Sequence, residues 1–258
     1  VNKMSEYILQ AKNLTKIYGL HSENEFEALH GIDFTVTSGE FICIMGPSGS
    51  GKSTFINNIS TIDMPTSGWV RIHDIDIRTM SSHEIGKFRY QNLGFVFQDF
   101  NLLDTHTLFE NIAMPLSLAH IDRTQIIQRV QAMAKQLNIE QLLNKYPYQC
   151  SGGQRQRAAI ARALINQPQI IIADEPTGNL DSENSHELLM LLKKLNEDYQ
   201  TTIIMVSHDP FIASYSSRLV YIKDGYIEQM IKRESLTQDE YFQKIVELNS
   251  AESRRHFQ

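Results

Sequence analysis

Four short apolar runs punctuate this chain, and each ends on polar chemistry. Phe41-Ile-Cys-Ile-Met45 leads into a glycine-rich loop, and Leu93-Gly-Phe-Val-Phe97 leads into Gln98. Ile170-Ile-Ile-Ala173 leads into Asp174 and Glu175, and Thr202-Ile-Ile-Met-Val206 leads into Ser207 and His208. Continuous apolar runs of this length, separated by helical stretches, predict a parallel sheet covered on both faces. Ligands of such sheets bind beyond the carboxyl ends of the strands. The four polar endings therefore predict one functional edge.

Elsewhere the period changes. Tyr7-Ile-Leu-Gln-Ala-Lys-Asn-Leu14 and Ile32-Asp-Phe-Thr-Val36 alternate as strands do, with polar Gly19–Glu27 between them as an exposed loop. These segments predict an antiparallel β lobe beside the core. Between Gln98 and Ser151 the pattern turns helical: a cap-like Asp122-Arg-Thr-Gln125 precedes Ile126, Val130, Met133, Ala134 and Leu137. This inserted helical lobe ends near Pro147. Thr237-Gln-Asp-Glu240 marks another cap, before Tyr241, Phe242, Ile245 and Val246 on one face. That tail helix packs on the body or on a partner. The expected fold is α/β, with a mostly parallel sheet, an antiparallel β lobe and an inserted helical subdomain. Expected boundaries are 5–235 for the main domain, about 99–165 for the helical subdomain, and 236–258 for the tail.

Composition narrows the partners. At 258 residues, 41% hydrophobic and 21% charged, the chain has the make-up of an ordinary globular protein. A formal charge of −6 and no basic stripe argue against nucleic acid. No apolar run approaches the roughly 18–20 residues of a spanning helix, so a membrane role is expected to come through a partner. The start, Val1-Asn-Lys-Met-Ser-Glu6, lacks the apolar core of a secretory signal. Cys43 and Cys150 are too few for a disulfide framework, which fits a reduced, cytosolic compartment. No Cys/His spacing suits zinc.

Gly46, Pro47, Ser48, Gly49, Ser50, Gly51, Lys52, Ser53 and Thr54 spell Gly-x4-Gly-Lys-Ser directly after a strand. The glycines let backbone amides curl around an anion, and the helix start adds partial positive charge. Lys52 can reach terminal phosphates and Ser53 can offer its hydroxyl to Mg²⁺, so the expected ligand is a nucleoside triphosphate. Asp174 can join the Mg²⁺ shell, and Glu175 can polarise an attacking water; the bland alternative is a solvated turn before Pro176. His208 alone would be a structural histidine, but at this edge it can meet the γ-phosphate. Gln98 carries less weight alone, since glutamines commonly end strands on solvent. Ser151, Gly152, Gly153 and Gln154 open a further helix: Ser151 can cap it, and the glycines expose its amides as a second anion-binding start. A capped basic surface helix is the alternative there.

In order along the chain these residues resemble the ATP-binding subunit of ABC transporters, over about residues 5–230. Gly46–Ser53 resembles the Walker A loop, Gln98 the Q-loop, and Ser151–Gln154 the signature motif. Asp174 and Glu175 resemble Walker B and its catalytic glutamate, Leu180-Asp181 the D-loop, and His208 the switch histidine. Tyr18 sits where the family places an aromatic that stacks on adenine. The resemblance implies ATP with Mg²⁺, the ion flanked by Ser53 and Gln98 with Asp174 behind. It also implies a head-to-tail homodimer in which one subunit's Walker A loop and the other's Ser151–Gln154 sandwich each nucleotide. A membrane permease would dock beside Gln98 and the helical lobe, at the cytoplasmic face of the membrane. Cys150 departs from the family's usual leucine; it is still apolar, so function is expected to be kept.

Phe95-Val-Phe-Gln-Asp-Phe-Asn-Leu-Leu103 and Glu175-Pro-Thr-Gly-Asn-Leu-Asp181 resemble exporters of the macrolide/lipoprotein-release group. Asp104-Thr105 and the tail Glu240-Tyr-Phe-Gln-Lys-Ile-Val246 resemble bacitracin-type antimicrobial-peptide resistance transporters, which pair with a large permease and often a sensor histidine kinase. Peptide efflux or resistance is the leading expectation. An ATP-driven mechanical or signalling module of a membrane complex stays open beside it. A chromosome-type ATPase fits poorly, because those chains carry long coiled-coil or zinc insertions and this one has none.

Overall fold

A computed structural model describes residues 7–255, with side chains to residue 250. The leader reading of residues 1–6 and the last three residues of the tail lie outside the described residues. The chain runs β1 (Tyr7–Tyr18), β2 (Phe26–Thr37), β3 (Phe41–Met45), α1 (Lys52–Ile59), β4 (Ser67–Ile72), β5 (Ile75–Asp76), α2 (Ser82–Asn92) and β6 (Leu93–Phe97). Three helices follow: α3 (Leu108–Leu118), α4 (Arg123–Gln136) and α5 (Gly152–Leu164). Then come β7 (Ile170–Asp174), α6 (Ser182–Tyr199), β8 (Thr202–Val206), α7 (Pro210–Ala213), β9 (Arg218–Lys223), β10 (Tyr226–Lys232) and α8 (Gln238–Arg255).

The main sheet has the order β10-β9-β3-β8-β7-β6, parallel except for the edge strand β10. Its apolar runs lack alternation because each divides its residues between two cores. Phe41, Cys43 and Met45 pack toward α3, α4, α5 and α6, while Ile42 and Ile44 pack toward α1 and the second sheet. Ile171 and Ala173 repeat that division against Ile170 and Ile172, as do Ile203 and Met205 against Ile204 and Val206. The second sheet, β2-β1-β4-β5, is antiparallel throughout.

Some elements differ from the sequence pattern. β2 begins at Phe26, so Phe26 and Glu27 belong to a strand and only the turn before them is loop. The pattern read from the sequence includes neither β9, although Leu219–Ile222 is an unbroken buried apolar run, nor β10, which turns Tyr226, Glu228, Gln229 and Met230 outward. In β4 only Val70 and Ile72 are buried, too little signal for a strand.

Helix starts follow local chemistry. Reciprocal caps join Ser81 to Glu84, Thr107 to Glu110, Ser151 to Gln154 and Thr237 to Glu240; caps of this kind contribute about 1 kcal/mol each. Asp122 caps α4 by accepting from Thr124 N at 2.8 Å. The α8 face is spent on the body. Tyr241 and Ile245 are fully buried, and the Tyr241 hydroxyl donates to Ile231 O at 3.2 Å. Burial pushes that phenol up to about 12. Phe242 meets Phe211 of α7 edge-on, with ring centroids 6.4 Å apart.

Candidate active site

Register across the sheet brings the polar endings together. Ile44 pairs with Val206, Val206 with Asp174, and Asp174 with Phe97, so these four form one row across β3, β8, β7 and β6. With strands about 4.8 Å apart, the residues just beyond that row line one edge: Met45 and Gly46, then Ser207 and His208, then Glu175, then Gln98.

At β3 the chain turns through Gly46 (φ 152°), Gly49 (φ 76°) and Gly51 (φ 97°). Helix α1 then begins at Lys52 with no side-chain cap. Its first amides are thus left for an outside acceptor, which suits an anion. The Ser50 hydroxyl is buried and has no hydrogen-bond partner. Lys52 Nζ donates to Pro47 O at 2.7 Å, folding the ammonium over the loop. Burial lowers its proton affinity, against which Glu175 and then Asp174 pull upward. Ser53 is exposed on the same turn, and Thr54 is half-buried beside it.

Asp174 is half-buried. Burial pushes its carboxyl up, Glu175 adds to that, and Lys52 opposes it. Glu175 has a left-handed backbone, φ 45°, pinned by Glu175 N donating to Val206 O and by Gly178 N donating to Glu175 O, both at 3.1 Å. Strained residues of this kind cost on the order of 1 kcal/mol and gather at functional sites. The turn aims the carboxylate at His208, whose Nδ1 lies 3.0 and 3.1 Å from its two oxygens. A carboxylate held by an imidazole at the mouth of a dry strand end can accept a proton from water. Gln98 lies against Gly178, where any Cβ would come within 2.8 Å of its amide carbon. Its backbone O accepts from Asn179 Nδ2 at 3.0 Å, and the same Nδ2 reaches Asp99 Oδ1 at 2.8 Å. In the sequence Asn179 stands only as part of the Glu175–Asp181 motif, with no contact to Gln98 assigned to it.

Two of the sequence-derived groups lie elsewhere. Ser151–Gln154 sits on the helical layer, where Gly152 faces Asn179 and Leu180, and Gly153 abuts Asn184. Asp181 caps α6 and accepts from Asn184 N at 2.9 Å, tying that helix to the same corner. Tyr18 ends β1, is 41% exposed, and bonds through its hydroxyl to Asp63.

Both cysteines are free thiols. Cys43 is completely buried in β3, and burial pushes its thiol far up. Cys150 is half-buried, packs on the helical core, and places Sγ 3.6 Å from Tyr146 O. Burial raises this thiol too, so it acts as a small apolar side chain. Cys150→Leu is expected to leave ATP turnover within about twofold, since the position already holds an apolar group at the half-open margin of the core, where a larger one costs less than in a sealed interior. A steady-state assay showing a sharp fall would instead assign the thiol a role.

A phosphate loop alone would serve a kinase or a switch equally well; the carboxylate–imidazole pair beside it makes this a P-loop nucleotide hydrolase in class. The chain belongs to the ABC transporter family, whose model matches residues 29–178, and it is an ATPase. It is 45% identical over 239 residues to the bacitracin export ATP-binding protein BceA of Halalkalibacterium halodurans, covering 93% of this chain and 94% of that one. It is 42% identical to the macrolide export ATP-binding/permease protein MacB of Syntrophobacter fumaroxidans, over 86% of this chain and 31% of that longer one. Among solved structures it is similar to a dimeric post-hydrolysis state of the ATP-binding cassette MJ0796 of Methanocaldococcus jannaschii, bound to ADP and Pi. That likeness has a TM-score of 0.82 and 41% identity, over 88% of this chain and all of the other. No helix among the described residues is long and apolar enough to cross a membrane.

Proposed function

We propose that this chain is the ATP-hydrolysing subunit of a membrane exporter that removes, or protects against, antimicrobial peptides. One observation carries the dimeric part of this reading. The chain has two helix starts suited to phosphate, at Gly51 and at Ser151, set on different layers of the fold. Both serve one nucleotide when two copies meet head to tail. The dimeric, ADP-bound state of the MJ0796 relative supports that arrangement, and the export activity in the BceA relative's name supports the cargo.

On this reading Tyr18 stacks adenine and Gly46–Lys52 cradle the phosphates, with Thr54 in the same first turn. Ser151, Gly152, Gly153 and Gln154 of the second copy close the site. The oxygen donors Ser53, Gln98 and Asp174 are the hard ligands Mg²⁺ takes. When bound, that ion neutralises charge on the β- and γ-phosphates. Glu175 accepts the proton of the attacking water, and His208 holds Glu175 and reaches the γ-phosphate. Residues 5–235 form the ATPase domain, about 99–165 its helical subdomain, and 236–258 a tail. The chain sits on the cytoplasmic face of the membrane through a permease, which also links it to a sensor histidine kinase.

Deleting the gene is expected to sensitise cells to bacitracin-type peptides, with resistance restored by the intact chain but not by Lys52→Ala. Unchanged susceptibility, with filamentation or lysis in the absence of drug, would overturn export in favour of a mechanical module.

A further inference from the structure

Tyr18 is held by two residues that the phosphate chemistry does not use. Lys16 lies two positions before it, with Nζ 5.0 Å from the centroid of the Tyr18 ring. The same ammonium donates to Asp63 Oδ1 at 2.7 Å and to Met64 O at 2.9 Å. Asp63 Oδ2 accepts from the Tyr18 hydroxyl at 3.2 Å, and Oδ1 also accepts from Met64 N at 2.8 Å. Only 12% of the Lys16 side chain is exposed. The cation therefore occupies a fixed place beside the ring rather than swinging in solvent.

A tyrosine at a strand end, 41% exposed, would otherwise turn about its side-chain torsions. Here the cation sits over the ring and the carboxylate holds its hydroxyl. Asp63 belongs to the loop just after α1, and the phosphate loop opens that same helix. The base platform and the phosphate cradle are thereby fixed to opposite ends of one short rigid element.

We propose that Lys16 and Asp63 are positioning residues that preorganise Tyr18 for stacking on the adenine of ATP. This rests on the reading of Tyr18 as the base platform. An ordered ring loses less freedom when the base arrives, so affinity rises without any new contact to the nucleotide. The effect acts on the base and spares the phosphates.

The test compares Mg-ATP with Mg-tripolyphosphate, which carries the phosphates but no base, by calorimetry on the full chain. Lys16→Met and Asp63→Asn are expected to weaken ATP by about three- to tenfold and leave tripolyphosphate unchanged. Lys16→Arg should retain most of the ATP affinity. Tyr18→Phe, which removes only the hydroxyl, should cost about two- to threefold. In a Tyr18→Ala background, Lys16→Met should have no further effect. Equal weakening of both ligands would mean a general disturbance and overturn the proposal. Selective loss of ATP in Tyr18→Ala, with none in Lys16→Met or Asp63→Asn, would overturn it while sparing the Tyr18 reading. Unchanged ATP affinity in Tyr18→Ala would overturn both.

Discussion

Replacing Glu175 by glutamine is expected to slow ATP turnover by about 10²- to 10⁴-fold, the range for losing a general base, while ATP binding changes little. Glutamine has the same shape. The backbone bonds that hold position 175, from its own N–H to Val206 O and from Gly178 N–H to its carbonyl, involve no side-chain atom. The amide can still meet His208 Nδ1. The capacity to take a proton from water is what disappears. Steady-state kinetics and a binding isotherm separate the two effects, and turnover within threefold of wild type would remove Glu175 from the role. The same variant, mixed with Mg-ATP, should move from monomer to dimer by light scattering, because nucleotide stays unhydrolysed between two copies. A variant that binds ATP yet remains monomeric would count against closure of the site by Ser151–Gln154 of a second copy in the absence of a permease.

The largest structural effect belongs to Gly46→Ala. A Cβ at Gly46 would lie 1.9 Å from Ile222 O and 2.9 Å from Ser50 Oγ. The first of these atoms is backbone of β9, paired in register to β3, and it has no room to retreat. Overpacking costs about 1–3 kcal/mol and an unfavourable positive φ a similar amount. The expected sum, about 2–6 kcal/mol, corresponds to a fall of roughly 4–24 °C in Tm for a domain of this size, with loss of ATP binding. Gly49→Ala is the control. Its φ of +76° carries strain, but an added Cβ would meet nothing within 4 Å, so only the backbone cost remains and the drop should be about half that of Gly46→Ala. Equal melting points for the two variants would mean that the loop is not fixed against β9.

The central strands were legible because two-sided burial removes alternation. Phe41–Met45, Leu93–Phe97, Ile170–Ala173 and Thr202–Val206 coincide with β3, β6, β7 and β8 to within a residue. The glycine loop was legible because its conformation demands residues without a Cβ, and Ser151, Thr237 and Asp122 because capping is a local interaction. What stayed hidden depends on atoms distant in sequence. The row of Ile44, Val206, Asp174 and Phe97 needs the strand order, which no single strand encodes. Lys16 and Asp63 meet only because β1 passes the end of α1. Glu175 could be read as a carboxylate, but its left-handed turn follows from the bond to Val206 O. The tail pattern fitted either the body or a partner, and the cavity that accepts Tyr241 and Ile245 settles it for the body.

The unequal burial of the two thiols has a practical side. Cys43 is sealed inside the sheet and Cys150 is partly open, one residue before Ser151, the cap of α5. Of the two thiols, Cys150 is therefore the one a maleimide dye reaches first, at a rate slowed by the burial that raises its pKa. On the proposed reading, in which Ser151–Gln154 closes over nucleotide, a fluorophore there would report each catalytic cycle optically in the native chain.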